Sequence, residues 1–106
     1  MRAKRVESDG KPYGVRFFCP GCNGNKVIPV EGYEGGGAKW EFNGDYERPT
    51  LSPSILHKWT HGERREPRCC HSFVREGRIE FLSDCTHALA GQTVDLPDLE
   101  AIGEDW

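Results

Sequence analysis

No apolar run in the chain approaches the ~18 residues of a membrane-spanning helix. None follows the basic opening Met1-Arg2-Ala3-Lys4-Arg5 either, so no secretory signal is expected and the cytoplasm is the expected compartment. Apolar residues are scarce, at 36% hydrophobic with a mean hydropathy of -0.69. For a single 106-residue domain that gives a thin core. Positive charge is not in excess: 14 Lys+Arg stand against 17 Asp+Glu, for a net charge of -3. That balance speaks against a dedicated nucleic-acid or membrane binder. Internal repeats and low-complexity tracts are absent. There is no His-Glu-x-x-His for a zincin-type protease. The Pro-Cys-x-x-Cys of a deaminase site is not met either, because the knuckle reads Phe18-Cys19-Pro20-Gly21-Cys22. Five cysteines are an odd number, a poor basis for a disulfide framework, and in a reducing compartment they serve as ligands or free thiols.

What is present is turn chemistry and a knuckle. Thirteen Gly and seven Pro point to many turns and short elements. The expected fold is mainly β: a small single-domain, zinc-ribbon-like assembly of β-hairpins with little helix. Phe17-Phe18-Cys19-Pro20-Gly21-Cys22-Asn23-Gly24 sets two thiols two residues apart around a Pro-Gly turn, half of a tetrahedral zinc site. A core this poor gains from such a staple, because metal-binding free energy becomes folding free energy. Residues 1–12 read as a flexible lead-in, 13–97 as the zinc-binding β domain, and 98–106 as an acidic tail in which Leu99, Ile102 and Trp106 can dock. Within the domain, residues 57–68 read as a mobile polar insertion, and 83–91 can hold one helical turn. His57 and His61 in the insertion read as solvated.

Register locates the other ligands. A two-residue turn at Glu76-Gly77 pairs Arg75 with Arg78, Val74 with Ile79 and Ser72 with Phe81. Cys70, Val74, Ile79 and Phe81 then share the apolar, inward face, and Cys85 joins Cys70 if the strand continues. The expected metal set is Cys19, Cys22, Cys70 and Cys85, a closed structural zinc site. His71, adjacent to Cys70, and His87, two residues past Cys85, are the alternative ligands. Cys69 has no partner by parity.

Longer motifs surround these residues. They are Trp40-Glu41-Phe42-Asn43-Gly44-Asp45, Arg48-Pro49-Thr50-Leu51-Ser52-Pro53-Ser54-Ile55, Cys70-His71-Ser72-Phe73-Val74, and Gly77-Arg78-Ile79-Glu80-Phe81-Leu82-Ser83-Asp84-Cys85-Thr86-His87 running on to Val94. Together with the knuckle they resemble a family of small phage and prophage proteins of unknown function. Automatic labels call such proteins ammonia monooxygenase or anaerobic dehydrogenase, but no cofactor motif in this chain supports either label. More distant look-alikes occur in bacterial operons with ubiquitin-like proteins. The resemblance implies a metal-binding domain, a phage or prophage origin and a bacterial host cell; it implies no reaction. The distant look-alikes pair a cysteine with a nearby histidine where this chain has Cys70-His71, which favours His71 as a ligand.

Three functions fit the residues. The first is a binding or scaffold module with a structural zinc. Its partner is a protein or small ligand held around Trp40, Asn43, Asp45, Arg48, Thr50, Ser52 and Ser54, hydroxyls and backbone on a proline-kinked edge. The bland alternative is that Pro49 and Pro53 merely shape a loop under the metal. The second function is a zinc-dependent hydrolase centred on Asp84, Cys85 and His87, with Asp84 or His87 as acid or base. The third is nucleic-acid binding through Lys58, Trp59, Arg64, Arg65 and Arg68, against which Glu63 and Glu66 halve the local field.

Overall fold

The computed structural model describes residues 1–102, so the expected docking of Trp106 lies outside the described residues. Eight strands form two antiparallel sheets, and no helix occurs among the described residues. The first sheet has the order β1 (Lys4–Ser8), β2 (Lys11–Cys19), β3 (Gly24–Pro29). The second runs β4 (Glu41–Phe42), β5 (Leu51–His61), β6 (Glu66–Arg75), β7 (Arg78–Phe81), β8 (Thr93–Asp95). The mainly-β expectation holds.

The core lies where the inward faces of the two sheets meet. Alternation selects Val15, Phe17 and Cys19 on β2 and Cys70, Ser72 and Val74 on β6 as buried positions. Leu51, Ile55, Ile79, Phe81 and Leu96 complete it. The Glu76-Gly77 hairpin has the expected register, with Arg75 opposite Arg78 and Ser72 opposite Phe81. Both turn residues take positive φ, 50° and 79°, as a tight two-residue hairpin requires.

Two stretches expected to be irregular are strands. Residues 1–12 are not a loose lead-in: Lys4–Ser8 pairs with β2, and the chain reverses at Asp9-Gly10, both at positive φ. Ala3 is fully buried, and the Arg2 side chain ties the segment down through the carbonyls of Leu96 and Glu47. Residues 57–68 are not a loose loop but the outer half of the β5–β6 hairpin, paired from His57–Cys70 out to His61–Glu66. This arm projects past the core, so both of its faces meet water and its sequence shows no apolar alternation. The 83–91 segment forms turns rather than a helical turn. In the tail, Leu99 is fully buried and its N–H donates to the Met1 carbonyl, while Ile102 is exposed.

A bulge interrupts β5. The pairing steps from Leu51–Val74 to Ile55–Ser72, which leaves Ser52, Pro53 and Ser54 facing Phe73 alone. Two extra residues preserve side-chain parity. Ser54 therefore keeps the face of Leu56, and Leu56 is paired with His71.

Candidate functional site

The second sheet carries different chemistry on its two faces. On the inward face, the donor atoms of Cys19, Cys22 and Cys70 lie within 4.8 Å of one another, and so do those of Cys70, Cys85 and His87. Cys70 belongs to both groups. The Sγ atoms of Cys19 and Cys70 are 3.9 Å apart. Two thiolates on one tetrahedral zinc, each about 2.3 Å from the ion, stand about 3.8 Å apart. The Cys22 N–H donates to the Cys19 sulfur at 3.4 Å, closing the knuckle turn. These groups are close enough to hold a metal ion.

The charge of the cluster is set by the groups around it. Cys19 is driven to the thiolate, its pKa lowered to about 2, by the Cys22 and Cys70 side chains, with burial opposing and Lys26 assisting. Cys22 and Cys70 are pushed up in turn, chiefly by sharing their protons with Cys19. The Lys26 ammonium is buried with no hydrogen-bond partner, an expensive arrangement unless negative charge lies close by. His87 packs edge-on against Phe81 at 4.5 Å and lies over Gly21, where any Cβ would overlap the imidazole. Its Nδ1 accepts the Leu89 N–H at 3.2 Å, and its buried Nε2 has no partner.

On the opposite face, His71 links two side chains. Its Nε2 lies 3.1 Å from Ser54 Oγ, and its Nδ1 lies 3.1 Å from Asp84 Oδ2. The row crosses three adjacent segments of one sheet. β5 supplies Ser54 at its bulge, β6 supplies His71, and the chain leaving β7 supplies Asp84, two residues past Leu82, whose N–H donates to the His71 carbonyl. The His71 side chain is 24% exposed and that of Asp84 54%, so the row is open to an incoming molecule.

The residues picked from sequence therefore divide. Cys85 and His87 reach Cys70, whereas Asp84 belongs to neither metal-capable group and faces the other way. Both ring nitrogens of His71 are engaged by Ser54 and Asp84. Asn43 and Asp45 spend their side chains on the loop itself: Asn43 bonds the backbone of Arg48, Asp45 and Thr50, and Asp45 that of Glu47 and Arg48. The Thr50 hydroxyl accepts the Glu76 N–H, Ser52 is exposed, and the Trp40 indole donates to the Ser54 carbonyl at 3.3 Å. In the β5–β6 arm, Arg68 pairs with Glu66 at 3.2 Å. No helix of the described residues is long and apolar enough to cross a membrane.

Fold and site together define a small all-β protein. One face of its main sheet bears a hydrogen-bonded serine–histidine–aspartate row, and the other a thiol-rich group able to hold a metal. The chain belongs to the family described as bacterial ubiquitination-like system serine protease (BubE), whose model matches residues 2–82. The match takes in Ser54, His71 and the first four cysteines and stops short of Asp84, Cys85 and His87. It agrees with the more distant look-alikes from operons with ubiquitin-like proteins and does not support a phage or prophage origin. No curated protein and no solved structure matches the chain.

Proposed function

We propose that this protein is a serine peptidase, with Ser54 as nucleophile, His71 as general base and Asp84 as the carboxylate that orients the imidazole. The observation that carries the reading is the pair of 3.1 Å contacts from His71, one ring nitrogen to Ser54 Oγ and the other to Asp84 Oδ2. With the Nδ1 proton directed at Asp84, the Nε2 lone pair faces the serine hydroxyl. The hydroxyl proton passes to Nε2 as Oγ bonds the scissile carbonyl carbon. Nε2 then returns that proton to the departing amine, and water repeats the cycle to release the acyl group. The family name supports a polypeptide substrate within a ubiquitination-like system.

The metal in this reading would be zinc, held by Cys19, Cys22 and Cys70, with Cys85, which lies near Cys70 but in a separate group from the knuckle thiols, as the fourth thiolate, and with Lys26 offsetting part of the negative charge. The Leu89 N–H on Nδ1 leaves the neutral His87 ring its proton on Nε2, which suits a donor to a cluster sulfur better than a metal ligand. Four thiolates would close its coordination and make the zinc structural, and Ser54 lies on the other face of the sheet. The structural zinc expected from sequence would then act as a clamp beneath a catalytic face.

A fluorophosphonate reagent tests the proposal. We expect one adduct per chain, mapped to Ser54 and lost in Ser54→Ala and His71→Ala, with both variants folded and metal-loaded. An adduct on another serine, or undiminished labelling in His71→Ala, overturns it.

A further inference from the structure

We infer that the substrate docks as an added β-strand on the free edge of β5, in the gap between β5 and β3. The inference rests on the peptidase reading and specifies the form in which that site takes its substrate: an extended polypeptide segment.

Backbone direction is the first argument. His71 turns both its N–H and its C=O toward the 82–85 segment, the N–H to Cys85 Sγ and the C=O to the Leu82 N–H. Cys69 likewise gives its N–H and C=O to Thr86. In an antiparallel ladder the alternate residues, Cys70 and Ser72, must bond the other neighbour, β5. Their partners there are His57 and Ile55. Leu56 and Lys58 therefore point their N–H and C=O away from β6. Beyond Ser52, where β4 ends its pairing, no strand among the described residues covers that edge. Such a row of free donors and acceptors is a template for one more strand.

The second argument is the gap. A pocket of ≈ 320 Å³ runs between the two edges, with β3 residues Val27 and Pro29 on one side and Leu56 and His57 on the other. β3 is the edge strand of its own sheet, but its Pro29 carbonyl already accepts the Trp40 N–H, so an inserted strand would pair with β5 alone and meet β3 through side chains. Only four large hydrophobics are exposed among the described residues, and two of them, Val27 at 43% and Leu56 at 52%, line this gap. They offer contact to apolar side chains of the guest.

Continuity with the nucleophile is the third. Trp40 lines the gap, and its indole donates to the Ser54 carbonyl. The indole takes the Ser54 carbonyl, so a guest strand paired along Lys58 and Leu56 would end beside the Ser54 hydroxyl. The occupant is an extended segment with free amides at alternate positions and an apolar residue over Val27 and Leu56.

Binding to the full-length Ser54→Ala protein tests this without turnover. The probe is a fluorescein-labelled decapeptide library, from which the tightest binder is remade with single N-methyl amides. We expect N-methylation to weaken binding at least about tenfold at alternate positions only, because every second amide faces β5. Leu56→Pro, which removes an outward N–H without taking a ladder bond from β6, should weaken binding by a similar factor. Amide exchange at Leu56 and Lys58 should slow on binding. Retention of no peptide, an N-methyl scan without alternation, or unchanged binding by Leu56→Pro overturns the inference. So does a concentration-dependent dimer lost in Leu56→Pro, which would seat a second copy there. Failed reagent labelling beside intact alternating binding would remove the peptidase reading and leave the docking edge; the reverse would remove the edge alone.

Discussion

The Cys85 sulfur grips the main chain of His71, 3.2 Å from its N–H and 3.2 Å from its carbonyl oxygen. The same histidine gives its side chain to Ser54 and Asp84 on the far side of the sheet. One residue thus joins the two faces: backbone to the thiol cluster, imidazole to the hydroxyl. A sulfur fixed by a metal would fix the strand from which the base projects. Positioning errors of about 1 Å cost on the order of 10²-fold in rate. Cys85→Ser, which keeps a hydrogen-bonding atom but is a poor zinc ligand, should lower kcat by about that factor. KM for a peptide substrate should stay nearly constant, because the β5 edge is untouched. Steady-state kinetics beside zinc content checks this; unchanged kcat in metal-depleted protein would separate the two faces.

Loss of a knuckle thiol should be more severe. Cys19 is fully buried and lies against both Cys22 and Cys70. Cys19→Ser should abolish stoichiometric zinc and lower Tm by at least about 10 °C, the equivalent of roughly 2 kcal/mol for a domain of this size. An unchanged Tm with full metal content would remove Cys19 from the ligand set.

The thiol cluster was far more legible in the sequence than the hydroxyl row. Cys19-Pro20-Gly21-Cys22 states its chemistry in four adjacent residues, and the turn at Glu76-Gly77 fixes the parity that brings Cys70 inward. Ser54, His71 and Asp84 each stood out alone, as a ligand-binding hydroxyl, a spare metal ligand and a candidate acid or base. Joining them requires knowing that residues 57–68 continue the β5–β6 ladder. That arm is solvated on both faces and so carries no apolar period, and the bulge at Ser52–Ser54 hides the register further. With the arm taken as a hairpin, parity alone places Ser54, Leu56 and His71 on one face.

Asp84 is half-exposed, so water can take part of its role when the carboxylate is lost. Asp84→Asn should retain fold and zinc and lower kcat on the order of 10²-fold, less than where the orienting carboxylate is fully buried. The comparison of kcat with Tm checks it; full activity would take Asp84 out of the row.

Gly21 and His87 make a second coupled pair. A Cβ at position 21 would overlap the imidazole, so Gly21→Ala must push His87 off the knuckle or distort the turn. A destabilisation of roughly 1–3 kcal/mol is expected from such overpacking. His87→Ala removes the clash and, if His87 is a donor to sulfur rather than a ligand, keeps the zinc. The double variant should therefore recover part of the stability that Gly21→Ala loses. Loss of zinc in His87→Ala would instead place its Nε2 on the metal.

The thiolate at Cys19 sets a pH dependence for the metal-free protein. Its folded pKa, lowered to about 2 by the Cys22 and Cys70 side chains, lies below the ordinary thiol value of about 8.5. A depressed acid pKa means that the unfolded chain binds more protons between those two values, so stability from this group rises with pH across that window. It is complete above about pH 8.5 and is lost as pH falls toward 2. Ultraviolet thiolate absorbance should therefore report one ionised cysteine per folded, metal-free chain at neutral pH, and none when the chain is unfolded at the same pH. Zinc uptake at neutral pH should release the protons still held on Cys22 and Cys70, whose pKa values are raised, and affinity should climb with pH. Calorimetric titration in buffers of different ionisation enthalpy counts those protons. A release of none would mean that Cys22 and Cys70 do not ligate the metal.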